Sequence, residues 1–221
     1  MNDTVDYTSN GKGEFEHYSC RNACLTEIFS EPGIFLDLAG GESIVSQHFS
    51  NLGFKAVLID MSLKALRIAK YQRGVHNCCQ LRVEKQLPFQ DKTFDYIFMG
   101  DVIEHIWYPK EVLLECHRIL KGQGKIAISF PNMGYWLYRL LYLKNGNICS
   151  TEVYRHYHWE FEHIRFFHKD SIEKLLHITN FKVETVYPII KPHHRFENLN
   201  KMFSKIKPDL FGEDFLVVAK K

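Results

Sequence analysis

Apolar positions along this chain follow two alternating rhythms. Short runs at Ile34–Leu38, Lys55–Ile59, Tyr96–Met99 and Lys125–Phe130 read as buried strands, with Cys79–Val83 a weaker one. Between them the spacing becomes helical over Ser43–Leu52, Ser62–Tyr71 and Pro109–Leu120, the last stopped by Lys121-Gly122. Glu14–Phe29 also suits a helix and ends before Pro32-Gly33. Strand, helix, strand in that order predicts parallel βαβ units and a sheet covered on both faces. The rhythm fails over residues 131–167, PNMGYWLYRLLYLKNGNICSTEVYRHYHWEFEHIRFF. A connection that long is a binding element more often than a passive loop, which predicts an aromatic cap over a site. The pattern resumes with a helix at Lys169–Thr179, a strand at Phe181–Tyr187, a short helical stretch at Leu199–Ile206 and a last strand at Phe215–Lys220. With so short a connection before it, the last strand closes the sheet antiparallel. Residues 1–13 lack periodicity and read as a flexible tail, leaving 14–221 as a single domain.

Composition narrows the class. Of 221 residues, 45% are hydrophobic and 24% charged, the usage of a folded globular chain. Lys and Arg total 28 against 26 acids, so no strong field draws the whole chain to nucleic acid. No apolar run reaches the ~18 residues that suggest a membrane span. The start MNDTVDYTSN is polar and acidic, unlike a secretory leader, so the expectation is a cytoplasmic protein. Six cysteines occur without a CxxC pair, which argues for plain thiols and against a zinc knuckle.

The first strand runs into FLDLAGGES, a turn of small residues opening a helix. Such turns lie at the carboxyl ends of parallel strands, where backbone and helix amides meet a ligand. The second strand ends in Asp60, at the separation from that turn that suits an acid gripping ribose hydroxyls. Turn plus distant acid is a nucleoside-cofactor signature, open at this point to NAD or S-adenosylmethionine. The turn lacks the third glycine with which helix and strand pack around a pyrophosphate, which disfavours NAD.

The following block, LRVEKQLPFQDKTFDYIFMGDVIEHIWYPKEVLLECHRILKGQGKIAISFPN, resembles class I S-adenosylmethionine-dependent methyltransferases. It is most similar to the branch with ubiquinone-biosynthesis-type and methionine-biosynthesis W-type enzymes. The resemblance spans about residues 30–187 and rests on LPF at 87–89, Phe94-Asp95, DVIEH at 101–105, the KGQGK turn into FPN, and the later HIRFFHKDSIEKLL. It implies a Rossmann-like α/β fold with a mostly parallel sheet, an antiparallel last strand and helices on both faces. S-adenosylmethionine is the implied cofactor. Asp37 with Ala39, Gly40 and Gly41 would face its methionine part, Asp60 its ribose and Met61 its adenine. Arg82 and Val83 fall where the family's adenine-recognition strand ends, and Asp101 falls below the sulfonium and the acceptor.

Three positions depart from that pattern. Ala39 and Ser43 replace glycines of the turn, and Arg82 replaces an aspartate. Arginine only donates hydrogen bonds, so it cannot receive one from the adenine amino group.

Methyl transfer to a hydroxyl needs a base near neutral pH, a task that suits histidine. His105, after the fourth strand, and His163, at the end of the cap, are the candidates, with Asp101 beside them and His156 and His158 inside the cap. Tyr135, Trp136, Tyr138, Tyr157 and Trp159 are the cap rings available to enclose an acceptor. The spacing HxHxxxEH fits no familiar metal frame, so no metal site is expected. Residues 190–207 carry Lys191, Arg195, Lys201, Lys205 and Lys207 against Glu197, read here as a solvated face. Two function classes follow: a methyltransferase acting on a small-molecule acceptor, O- or N-methylating a sugar- or lipid-linked metabolite, or an inactive chain of the same fold that binds a partner enzyme.

Overall fold

The computed structural model describes residues 21–83, 86–146, 163–191 and 196–221. Seven strands form one sheet in the order β3-β2-β1-β4-β5-β7-β6. They are β1 (Ile34–Leu38), β2 (Lys55–Asp60), β3 (Cys78–Gln80), β4 (Phe94–Gly100), β5 (Leu120–Pro131), β6 (Lys182–Ile189) and β7 (Asp214–Lys220). The pairs β1·β2, β1·β4, β2·β3 and β4·β5 are parallel, and β7 runs antiparallel to both β5 and β6. Residues 21–28 are helical (α1). The other helices are α2 (Ile44–Asn51), α3 (Leu63–Gln72), α4 (Pro109–Ile119), α5 (Trp136–Asn145), α6 (Lys169–Ile178), α7 (Glu197–Ser204) and the single turn α8 (Pro208–Phe211).

The period-2 alternation of the strands sorts their side chains between two cores. Leu36 and Leu38 of β1, Ile97 and Met99 of β4 and Ile126 and Ile128 of β5 pack on α4 and α6, through Val112, Leu113, Cys116, Ile172 and Leu176. Phe35, Phe98 and Ala127 point the other way, onto Leu25 of α1, Phe29 just after it, and Val45 and Phe49 of α2. Asp37 shares the Phe35 face of β1, so it points toward α1 and α2. A hydrophobic chain there would be ordinary core; a carboxyl there is not.

Several boundaries differ from the sequence reading. β3 stops at Gln80 instead of reaching Val83, because Cys79 and Gln80 are exposed at the sheet edge while Val83 turns into the core. Helix α4 ends at Ile119, and Lys121-Gly122 does not terminate it. Leu120 already pairs with Phe94, and the register then jumps to Tyr96 and Lys125, so residues 121–124 bulge out of β5. Glycine permits that bulge, since a Cβ on Gly124 would lie 2.9 Å from the Asp95 carbonyl. Lys121 reaches back to the Asp95 carboxylate at 2.8 Å, and the same carboxylate accepts from the Ile34 amide at the start of β1. The stretch read as a cap contains α5. α8 was hidden by Pro208, which opens it at the first turn.

Candidate active site

All parallel strands end at one edge of the sheet, and the candidate residues converge there. Asp37 is buried, and the Ser46 hydroxyl of α2 donates to it at 2.7 Å. Burial pushes its pKa up to about 6, against the opposing pull of the Ser46 hydrogen bond and the Arg21 charge. Gly40 lies so close beneath that carboxyl that any Cβ would overlap it. The turn then needs left-handed backbone three times, with φ of 57° at Ala39, 56° at Gly41 and 62° at Ser43. The two departures from glycine therefore cost backbone strain, not space.

Asp60 ends β2 and is buried. Its two oxygens accept from the Gly41 amide at 2.9 Å and the Ser62 amide at 2.7 Å, which ties the turn to the start of α3. Met61 is exposed beside it, and Gln80 donates to the Met61 carbonyl. Arg82 is exposed just past β3, whereas the Val83 side chain is in the core.

Asp101 follows β4 with φ of 56°. Arg21 of α1 donates to it at 2.7 Å, and the Ser129 hydroxyl of β5 donates at 2.8 Å. Arg21 is buried with its guanidinium over the Phe98 ring, close enough to act on Asp37 as well. Sequence reasoning missed Arg21. Its signal was a cation on the same helical meridian as the core residues Leu25 and Phe29.

The two histidines come together, with ring centroids 4.7 Å apart in an edge-on arrangement. His105 closes the short 3₁₀ turn Ile103–His105 after β4. His163 arrives from the far end of the cap and is strapped in place: the Ile164 and Arg165 amides both donate to the Glu104 carbonyl at 3.0 Å. The buried Glu104 carboxylate lies 3.9 Å from His163 Nε2. Burial, reinforced by His105, pushes the His163 pKa down to about 4, although Asp101 and Asp214 pull upward. Glu104, His105 and His163 thus bring ligand-type atoms within 4.8 Å of one another, a grouping that the sequence spacing did not reveal. Beyond His163, Lys191 pairs with the buried Asp214 at 3.2 Å; burial opposes its charge, but that carboxylate holds the ammonium above the usual lysine range.

Part of the predicted cap lining serves another purpose. Tyr135 is fully buried, and Asn200 of α7 bridges its hydroxyl to the Glu213 carboxylate. Trp136 donates to Asn200 at 3.0 Å and packs on Phe196. These two rings anchor α7 instead of facing an acceptor. Tyr138 is buried close to Lys191. His156, Tyr157, His158, Trp159 and Glu162 lie outside the described residues.

A sheet of order 3-2-1-4-5-7-6 with its seventh strand antiparallel, and an acid-and-glycine turn after β1, defines the class I methyltransferase fold. Residues 36–128 match the family model described as a methyltransferase domain. It is 28% identical over 124 residues to a mitochondrial ubiquinone biosynthesis O-methyltransferase of Schizosaccharomyces pombe, covering 50% of this chain and 44% of that one. It is 29% identical over 154 residues to a ubiquinone/menaquinone biosynthesis C-methyltransferase of Blochmanniella pennsylvanica, covering 62% and 60%. The chain thus spans about half the length of these curated relatives. In fold it is similar to the PH0226 protein of Pyrococcus horikoshii, with a TM-score of 0.69, 22% identity and coverage of 96% and 92%. No helix among the described residues is long and apolar enough to cross a membrane.

The buried Asp37 gives a stability test with a definite sign. Its folded pKa is raised from 3.8 to about 6, so the folded state holds the proton more tightly between those values. Stability from this group is complete below pH 3.8 and is lost as pH rises through 6. Asp37→Asn should therefore stabilise the free protein at pH 8 by up to about 3 kcal/mol and gain little near pH 4, read from denaturant midpoints. Ala39→Gly should add about 0.5–1 kcal/mol at any pH by relieving left-handed strain, measured in the same way.

Proposed function

We propose that this chain methylates an oxygen or nitrogen of a small organic acceptor, using S-adenosylmethionine. The observation that carries the reading is the convergence of two groups at one sheet edge, the Asp37–Gly41 turn with Asp60 and the Asp101–His105–His163 group. The donor set fits the cofactor. Asp37 offers a carboxylate for an ammonium, Arg21 a guanidinium for a carboxylate, and Asp60 an acceptor for paired hydroxyls. Met61 and the Val83 backbone border the adenine end, with Arg82 positioned to stack on the ring or donate to it. When bound, the cofactor supplies an electrophilic methyl on a sulfonium, a centre that transfers without acid or metal assistance from the protein.

The remaining work falls to the chain. Arg21 and Ser129 fix the Asp101 carboxylate, and α1 closes the face over the turn. His163, neutral near pH 7 because it is buried, takes the acceptor proton. The charges of Asp101 and Asp214 favour the resulting imidazolium. His105 edges the His163 ring and orients it. The relatives' roles in ubiquinone biosynthesis support an acceptor that is a small organic molecule. A second reading follows from the compactness of Glu104, His105 and His163, whose atoms suit a divalent cation. Activity that survives exhaustive chelation keeps the base assignment; activity lost on chelation and restored by a metal moves these three residues to a ligand set. An inactive, partner-binding chain is the alternative if neither cofactor nor product raises the melting temperature.

Two measurements test the proposal. Asp60→Ala should weaken S-adenosylhomocysteine binding by about 1.5–3 kcal/mol by calorimetry. Unchanged affinity would remove Asp60 from the cofactor site. His163→Gln should lower kcat about 10²–10⁴-fold with cofactor affinity retained. In the wild type, the acid limb of kcat/KM should fall well below the ordinary histidine range, toward the pKa of about 4 of buried His163. A limb near 6.5 that persists in the variant would exclude it as the base.

A further inference from the structure

The exposed apolar side chains of this protein are not scattered evenly. Trp136, Leu140 and Leu143 share one meridian of α5, and Phe196, Leu199, Phe203 and Ile206 share one along α7 and its C-terminal extension. The two stripes meet where Trp136 packs on Phe196 with ring centroids 5.1 Å apart. Away from that contact both become exposed. Leu143 is 81% and Ile206 70% accessible, and Leu140, Leu199, Tyr142 and Met202 are also exposed. Side chains open to that degree protrude from the surface and do not line a groove.

The charge around them is one-sided. Residues 132–146 and 196–212 carry Arg139, Lys144, Lys201, Lys205 and Lys207 against Glu197 and Asp209. α5 itself has no acid, and Glu197 and Lys201 pair with each other, so the balance rests on Arg139, Lys144, Lys205 and Lys207 against Asp209. Protruding leucine, isoleucine, methionine and tyrosine among lysines is the pattern of a surface that enters the headgroup region of a bilayer. A second copy would bring a like-charged face, which disfavours self-association. The anchors of a protein interface seat in pockets, whereas these side chains stand out from the surface.

We propose that the α5–α7 face docks on an anionic lipid bilayer. It is a peripheral contact made by side chains of two helix surfaces, with no span. It lies beside the ends of β5 and β7, next to Lys191 and Asp214, so docking would set the candidate acceptor side close to the lipid surface. The docking itself stands independently of the proposed chemistry.

Vesicle flotation tests it on the full chain, without cofactor. Vesicles of phosphatidylcholine with 30 mol% phosphatidylglycerol, an amount of about one anionic lipid in three chosen to give a negative surface potential, should float the protein. Pure phosphatidylcholine should float much less, and raising the salt from about 0.1 to 0.5 M should release it. Lys205→Ala with Lys207→Ala should weaken partitioning about fivefold for each lysine removed. Leu143→Glu with Ile206→Glu should abolish flotation while leaving S-adenosylhomocysteine affinity and the melting temperature unchanged. Absent flotation, equal flotation on neutral vesicles, or flotation indifferent to both double variants overturns the proposal. So does a dimer in sedimentation that Leu143→Glu with Ile206→Glu dissolves, which would assign the face to a second copy. Because no step involves methyl transfer, failure here leaves the proposed function standing, and the reverse also holds.

Discussion

A carboxyl group buried at the end of β1 organises the rest of the site edge. Asp37 points into the face that α1 and α2 cover, where its neighbours along the strand are core side chains. Burying an ionised carboxylate is costly unless polar partners surround it. The fold supplies the Ser46 hydroxyl from α2, the nearby Arg21 guanidinium from α1, and a glycine at position 40 because no side chain fits there. Arg21 in turn must be near Asp101 as well as Asp37, so α1 docks where one cation serves two acids. The turn, the first two helices and the loop after β4 are thereby fixed relative to one another by a single partly compensated charge.

This constraint explains which parts of the structure were legible in the sequence. Strands β1, β2, β4 and β5 are buried on both faces, so their apolar runs were plain. The positions of Asp37, Gly40, Gly41 and Asp60 at the sheet edge could be read because they depend on local spacing within one βαβ unit. Arg21 could not, since its partners lie 80 and 108 residues away and only the folded sheet brings them together. β3 was read too long because an exposed edge strand has one sided support and its apolar pattern decays. α5 was read as loop because Tyr135 and Trp136 looked like pocket aromatics; their contacts with Asn200 and Phe196 are set by α7, more than sixty residues on. The bulge at 121–124 was invisible for a simpler reason: a Lys-Gly-Gln-Gly segment reads as a turn whether or not it stays hydrogen-bonded to a neighbour.

The histidine pair shows the same limit from the other side. His105 and His163 were named separately for their residue type, yet their chemistry depends on a strap of two amides donating to one Glu104 carbonyl. That strap holds Ile164 and Arg165 against the loop after β4 and carries His163 into the buried zone. Glu104 was not singled out within DVIEH, because nothing local shows that its carbonyl receives two amides from residues far along the chain. The backbone of Glu104 anchors Ile164 and Arg165, and its carboxylate lies 3.9 Å from the ring so placed.

Asp37 and His163 then oppose each other in their response to pH. Burial favours the neutral form of both, but that means holding a proton for one and refusing it for the other. As pH falls through the range from 6 to 4, folded Asp37 takes up its proton ahead of the unfolded chain and stability rises. His163, with its pKa lowered from 6.5 to about 4, resists protonation that the unfolded chain accepts, and stability falls. The two proton balances run in opposite directions over nearly the same window, so the folded protein loses or gains little net stability there from this pair. Removing either group exposes the slope of the other. The cost of burying two ionisable groups at one sheet edge is therefore hidden in the intact protein, where each masks the other's titration.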